Sequence, residues 1–163
     1  MKALWSAVVA VLALGAFVPA LAAPSDEETR AIAAARADYE RGRKAIDRMN
    51  WKEAIAAFES AARLDPQDPE FQNLLGFSYR NAGNMEAAFL HYGKALELNP
   101  RHRGAHEYVG RAYLMVDKPE KAMEHLKLLE RVCPDVCKER DMLKRAIDEY
   151  PWLAPARMST NSY

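Results

Sequence analysis

A repeat of 34 residues is the feature that most restricts what this chain can fold into. When the sequence is shifted against itself by that step, small, apolar and proline residues coincide. The aligned sets are Gly42, Gly76 and Gly110; Ala54, Ala88 and Ala122; Pro66, Pro100 and Pro134; Phe58, Tyr92 and Leu126; Ala61, Ala95 and Leu129; and Leu64, Leu98 and Val132. A period of this length is typical of a supersecondary unit that stacks on copies of itself.

The stretch 71–100 shows what one unit contains. Its apolar residues recur at helical spacing on both sides of a break at 82–84. Asn84 is a suitable N-cap for the second helix, and a proline ends the unit. Ser25 and Asn50, each followed three residues later by a glutamate, are expected to cap the first two helices of the chain. Each unit is therefore predicted to be a helix-turn-helix.

The three aligned glycines fall in the middle of predicted helices, where glycine costs roughly 0.5 to 1 kcal/mol relative to alanine. Such a cost is tolerated where two helix backbones must approach closely. The aligned alanines offer a matching small surface on the partner helix. We expect Phe58, Tyr92 and Leu126 to fill the space between neighbouring helix pairs.

This pattern resembles the tetratricopeptide repeat family, whose unit is a 34-residue helix-turn-helix. The resemblance covers Ala35 to Pro134, and it is weaker in the first unit, where Arg41 and Ala45 replace apolar and tyrosine residues of the others. It implies an all-α fold, a right-handed superhelical array of three helix pairs with a C-terminal capping helix. The predicted domain is 23–150, with repeats at about 35–68, 69–102 and 103–134 and the capping helix at about 135–150.

The capping helix is predicted from an apolar stripe surrounded by charged residues. The stripe consists of Val136, Leu143, Ala146, Ile147 and Tyr150. A repeat array needs such a terminal helix with a polar outer face to stay soluble. We expect 151–163 to form a flexible tail.

The N-terminus has the pattern of a secretory signal peptide. Residues 1–22 contain one basic residue, Lys2, then an apolar run and a small-x-small cleavage site that ends at Ala22. The alternative, a retained membrane anchor, is disfavoured because the apolar run is shorter than the ~20 residues that span a bilayer. We therefore expect cleavage after Ala22, a periplasmic or secreted protein, and no stable membrane insertion after cleavage.

The two cysteines, Cys133 and Cys137, flank the bend between the last repeat and the capping helix. In an oxidising compartment they are expected to form a short-loop disulfide that fixes the cap. Two free thiols, or a redox or metal pair, are the alternatives. The four-residue step differs from the spacing of thioredoxin-like sites and lacks the histidine of haem attachment. A Cys-Pro-x-x-Cys before a short helix also resembles small exported bacterial tetratricopeptide proteins.

Charge and motifs argue against several classes of function. Lysines and arginines balance aspartates and glutamates at a formal net charge of zero, whereas a nucleic-acid binder needs a basic stripe. His102 and His106 do not form a zinc-protease motif, because Gly110 stands where the second histidine is needed. No glycine-rich phosphate loop is present in the sequence. We therefore predict a protein that is not an enzyme and needs neither cofactor nor metal.

The family resemblance implies a binding groove formed by the first helix of each pair. The exposed positions that it transfers to this chain are Arg36, Tyr39, Arg43, Glu70, Asn73, Phe77, Arg80, Glu107, Arg111 and Leu114. Four arginines and two aromatic residues there favour a ligand with acidic and apolar side chains, because arginine presents forked donors to carboxylates. The alternative is that arginine is an ordinary residue on a polar helix face. The carboxylate clamp of heat-shock chaperone adaptors is not matched, since Leu74, Gly104 and Tyr108 occupy its positions.

The predicted function is a protein interaction module, a scaffold or adaptor that binds a partner protein or peptide in this groove. Two other classes stay open. One is a thiol redox protein that uses Cys133 and Cys137. The other is a structural protein that self-associates through the exposed edges of its repeats.

Overall fold

The computed structural model describes residues 25–151, so the predicted signal peptide at 1–22 and nearly all of the predicted tail lie outside the described residues. Between those limits the chain forms seven α-helices and no strand. They are α1 (Asp26–Asp47), α2 (Trp51–Leu64), α3 (Pro69–Asn81), α4 (Met85–Leu98), α5 (Arg103–Met115), α6 (Pro119–Val132) and α7 (Lys138–Asp148). The predicted all-α class is confirmed. None of these seven helices is long and apolar enough to cross a membrane.

Helices α1, α2 and α4 begin at the predicted residues because side chains there satisfy the first free backbone N–H groups. The side chain of Ser25 accepts a hydrogen bond from the backbone N–H of Glu28 at 3.2 Å. Asn50 and Asn84 accept in the same way at the starts of α2 and α4. His102 caps α5 through its Nδ1 atom, which accepts the backbone N–H of Ala105 at 3.1 Å.

The turns inside the three helix pairs share one backbone geometry. Met49, Gly83 and Asp117 stand 34 residues apart, and all three have a positive φ, of 55°, 85° and 59°. Glycine adopts this left-handed conformation without the steric cost that a Cβ adds. Only the second turn has the glycine, yet the geometry repeats, because packing of the helix pair determines it.

The three aligned glycines accommodate large side chains. A Cβ at Gly42 would lie 2.6 Å from the ring of Phe58, and one at Gly76 would lie 2.5 Å from the ring of Tyr92. Each ring lies over the glycine of its own helix pair and also packs against the next pair, as predicted: Phe58 clusters with Leu74 and Leu75 of α3, and Tyr92 clusters with Val109 and Ala112 of α5. These rings are fully buried and occupy the crossing point of the pair.

The third pair uses a different residue for this purpose. Leu126 is only half-buried, and the side chain that a Cβ at Gly110 would meet, at 2.6 Å, is Leu143 of α7. Leu126 packs against the same core as Leu143, but it does not take the position over the glycine that an aromatic ring occupies in the first two pairs. The capping helix supplies the missing volume.

The helix α7 packs against both α5 and α6. Leu143 and Ile147 are buried there with Cys133 and Cys137, which form a disulfide bond between α6 and α7. Val136 does not belong to the predicted stripe: it is 98% exposed, because it lies in the bend before α7 begins.

Candidate functional site

The first helices of the pairs form a continuous surface, which we call the first-helix face. Contacts between α3 and α5, and between α5 and α7, place these helices side by side. The ring of Tyr39 on α1 lies 5.8 Å from the ring of Phe71 on α3, which joins α1 to the same row. All of the predicted groove residues belong to α1, α3 or α5.

An arginine between two aromatic rings is the central feature of this face. The guanidinium carbon of Arg80 lies 5.2 Å from the centre of the Phe77 ring and 5.6 Å from that of the Tyr108 ring. The two rings are themselves 4.9 Å apart. Arg80 also donates a hydrogen bond to the backbone oxygen of Tyr108 at 3.2 Å. The stack therefore joins α3 to α5, and its two rings are half-buried.

Arg80 was expected to be an exposed groove residue, and this expectation is wrong. The side chain is only 6% exposed, because the two rings and the carbonyl of α5 enclose it. Its charge is engaged within the protein, so it is not free to bind the carboxylates of a partner.

A buried carboxylate lies beside this stack. Glu107 is 2% exposed, and Arg111 donates to its Oε1 atom at 3.3 Å. Burial raises the pKa of Glu107 despite the nearby Arg111 and Arg80. Exposure was expected for Glu107, and it is contradicted because α7 packs against α5.

The α1 end of the face is more open. Arg43 is exposed and donates a hydrogen bond to the hydroxyl of the half-buried Tyr39 at 3.3 Å. Arg36 is exposed as well, whereas Arg111 and Leu114 at the other end are partly buried. Of the four predicted arginines, Arg36 and Arg43 are therefore the most available to a ligand.

Two cavities lie along the face, one at each end of its helices. The polar cavity has a volume of about 450 Å³ and is lined by Glu70, Asn73, Asn99, Arg101, His102, Arg103, Gly104, Glu107, Tyr108, Lys138, Glu139 and Met142. The second cavity, of about 430 Å³, is lined by Arg80, Asn81, Arg111, Leu114, Met115, Ala146, Glu149, Tyr150 and Pro151. Sequence reasoning assigned Glu70, Asn73 and Glu107 of the polar cavity to the groove, but it missed the residues that α7 contributes to both cavities.

Asn73 was also expected to be exposed, but it is 2% exposed. Its amide nitrogen donates a hydrogen bond to Glu70 Oε2 at 2.9 Å, and that oxygen lies 3.2 Å from Nε2 of His102. Packing of α5 against α3 brings Gly104 to the Asn73 amide, which explains the burial.

A pair of histidines behind the face was missed by sequence reasoning. Nδ1 of His106 lies 2.9 Å from Nδ1 of His125, and Nε2 of His106 lies 3.0 Å from the carbonyl oxygen of Pro100. The 34-residue repeat could have indicated this pair, because Gln72 and His91 occupy the equivalent positions one repeat earlier and lie 2.8 Å apart. Within residues 25–151 no three His, Cys, Asp or Glu side chains are grouped so that they could hold a metal ion.

The stacked helix pairs and their 34-residue step define a tetratricopeptide repeat array. Residues 47–128, about half of the chain, match the family model described as anaphase-promoting complex, cyclosome, subunit 3. The chain belongs to this family of tetratricopeptide repeat proteins.

Similar proteins confirm the fold. Superkiller protein 3 of Saccharomyces cerevisiae is 33% identical over 94 residues, which is 58% of this chain but 6% of that protein. The chain thus spans a small part of the length of this relative. The solved Arabidopsis OM64 TPR domain superposes with a TM-score of 0.66 at 14% identity, covering 73% of this chain and 98% of that one. The first TPR domain of Spaghetti (RPAP3), solved with the HSP90 peptide SRMEEVD, gives 0.64 at 20% identity and covers 72% and 93%.

Proposed function

We propose that this chain is an exported interaction module that holds a segment of a partner protein against the first-helix face. The observation that carries the proposal is the patch formed by Tyr39 and Arg43 on α1 and by Phe77 and Tyr108 around the Arg80 stack. Aromatic and arginine side chains are the residue types that dominate binding energy at protein interfaces. Here they are held in place by contacts within the protein, so binding costs little side-chain ordering.

The partner segment is proposed to carry apolar and acidic side chains at this patch. The half-buried rings of Phe77 and Tyr108 offer flat apolar contact, and the exposed Arg43 offers charged donors. A neighbour with this fold was solved with a heat-shock protein peptide, which supports peptide binding as the mode of action. The chaperone clamp residues are absent from this sequence, so we propose a different peptide.

The thiol redox alternative is disfavoured by burial. Cys137 is 1% exposed and Cys133 is 9% exposed. Thiol chemistry on other proteins requires access to the sulfur atoms. The proposed role of the pair is to attach α7 to α6.

Export is proposed on the leader sequence alone. Expression with the full leader in a bacterium that has a periplasm is expected to yield a periplasmic protein that begins at Ala23. Intact mass spectrometry of that fraction is the measurement. A protein that retains residues 1–22 would contradict export by cleavage.

The binding proposal is tested by affinity capture from the exported fraction. The variant carries Tyr39→Ala, Arg43→Ala and Phe77→Ala, and it leaves Arg111 in place because that side chain pairs with buried Glu107. Partner proteins captured by the native protein are expected to be lost with this variant.

The matched control removes three exposed lysines from the second helices of the pairs, by Lys52→Ala, Lys94→Ala and Lys127→Ala. This control is expected to retain the partner, and circular dichroism verifies that both variants fold. A partner kept by the groove variant would place the site elsewhere. If native protein captured nothing and light scattering showed larger species at higher concentration, self-association through the repeat edges would replace the proposal.

A further inference from the structure

One residue that lines the polar cavity, Asn73, has a buried side-chain oxygen that receives no hydrogen bond from residues 25–151. Among residues 25–151, Oδ1 of Asn73 has no hydrogen-bond partner. The side chain cannot be reversed, because its other end faces Oε2 of Glu70, and a carboxylate only accepts hydrogen bonds when ionised. The amide nitrogen must therefore point to Glu70. An oxygen buried in this way costs stability unless something donates to it.

The acidic side chains of the cavity lie deeper than the basic ones. Glu107 is buried, and Glu70 and Glu139 are half-buried. In contrast, Arg101, Arg103 and Lys138 are exposed. Arg111 already pairs with Oε1 of Glu107, so Oε2 is the oxygen of that carboxylate left for a ligand. The interior thus presents an excess of acceptors, whereas the cations Arg101, Arg103 and Lys138 stand at the rim, where water screens them.

The side chains around Glu70 donate their hydrogen bonds to its carboxylate and not to Oδ1 of Asn73. Nδ1 of His102 accepts the backbone N–H of Ala105, so in the neutral ring the proton is on Nε2 and is donated to Glu70. Both Asn73 and His102 consequently donate to one carboxylate oxygen. The Nε2 proton of His102 and an amide proton of Asn73 are therefore used on Glu70, and Oδ1 of Asn73 receives neither.

We propose that the polar cavity binds a basic side chain of the partner segment, an arginine guanidinium, with Asn73 Oδ1 and the Glu107 carboxylate as its acceptors. A guanidinium supplies several N–H donors in one plane and no acceptor, which complements this interior. The rim cations then favour acidic residues on either side of the bound arginine. The inference rests on the proposed function, because it names the chemistry of one position in the partner segment.

The experiment uses the mature, ¹⁵N-labelled chain and the tripeptide acetyl-Gly-Arg-Gly-amide. Saturable shift changes are expected at the side-chain amide of Asn73 and in the backbone of 70–73 and 104–108. The same peptide with citrulline, which keeps the shape of arginine but has no charge, is expected to bind at least about tenfold more weakly, since a charge-assisted hydrogen bond is lost. Equal binding of the two peptides would overturn the inference.

The variant Glu107→Gln removes the buried charge and keeps the shape of the side chain. It is therefore expected to bind the arginine peptide about tenfold more weakly. The matched control is Glu130→Gln, an exposed glutamate on α6 outside the cavity, which is expected to change nothing. Unchanged affinity in Glu107→Gln would contradict the assignment. Should that variant not fold, the citrulline comparison on native protein still decides the question.

A free ligand and a peptide are distinguished by n-propylguanidine. The tripeptide is expected to bind more tightly, because its backbone also contacts the face. Equal affinity would make this a site for a small free cation and overturn the peptide assignment. These probes do not involve Tyr39, Arg43 or Phe77, so failure here and failure of the capture experiment are separate results.

Discussion

Mild acid is predicted to destabilise the fold through the paired rings of buried His106 and half-buried His125. Nε2 of His106 faces the carbonyl of Pro100 and must carry a proton. Its Nδ1 is then an acceptor for the N–H on Nδ1 of His125. Both rings are neutral in this arrangement, and Tyr113 stacks on His125 at 5.7 Å. A proton added to His106 would go to Nδ1 and place two donors 2.9 Å apart, whereas a proton added to His125 would go to Nε2 and put a charge in a partly buried site.

The structure gives the direction and size of the effect. Burial, followed by the charge of His106, lowers the pKa of His125 from 6.5 to about 4, and burial also lowers the pKa of His106. The unfolded chain therefore binds protons more readily than the folded one. This stability is fully present above about pH 6.5 and is lost as the pH falls towards about 4. At about pH 5 the loss from His125 alone is about 2 kcal/mol.

Urea unfolding at about pH 7.5 and about pH 5 measures the loss. Other groups titrate in this range, so the native protein is compared with the double variant His106→Leu, His125→Leu, in which neither ring can bind a proton. The native protein is expected to lose at least about 2 kcal/mol more than the variant on acidification, because His106 adds to the loss from His125. Equal losses would refute the reasoning. The variant His106→Gln, which copies the contact of Gln72 with His91, is expected to fall between them.

Three further predictions concern packing. Gly76→Ala is expected to destabilise the fold by about 1–3 kcal/mol, because its Cβ meets the ring of Tyr92. The control Gly93→Ala, where the new Cβ has open space, is expected to stabilise the fold by up to about 1 kcal/mol. Urea unfolding measures both, and midpoints that move in the same direction would contradict this prediction. Tyr92→Phe is expected to stabilise by about 1 kcal/mol in the same assay, because the hydroxyl is buried without a partner among the described residues and the first repeat has phenylalanine there. Reduction of the disulfide is expected to lower the free energy of unfolding of the native protein by about 2 kcal/mol. The same treatment is expected to leave the Cys133→Ser, Cys137→Ser variant unaffected. If the reducing agent destabilised both proteins, the disulfide would not be the cause.

The helices could be predicted because their determinants are local. Capping side chains, the turn at Gly83 and the spacing of apolar residues all act over a few positions. The same landmark residues also recur in three repeats, which makes a pattern that is weak in one repeat recognisable. The identity of the residue that fills the third crossing was not predictable in this way, since Leu143 comes from outside the repeat.

The groove residues were placed on the right helices, but their exposure was not. A position on a helix face says where a side chain starts, and its burial depends on what the next helix brings. Tyr108 encloses Arg80 from α5, and Gly104 approaches Asn73. Both contacts join residues far apart in the chain, which periodicity alone does not reveal. Whether the face binds a partner stays a prediction.

The helix α7 shows how one element serves both stability and the proposed site. It contacts α5 and α6 together, so it continues the row of first helices as an incomplete fourth unit. Its inner side fills the glycine crossing of the third pair with Leu143. Its first turns contribute Lys138, Glu139 and Met142 to the polar cavity. Because the disulfide attaches this helix to α6, loosening the attachment should disturb the core around Leu143 and the polar cavity together.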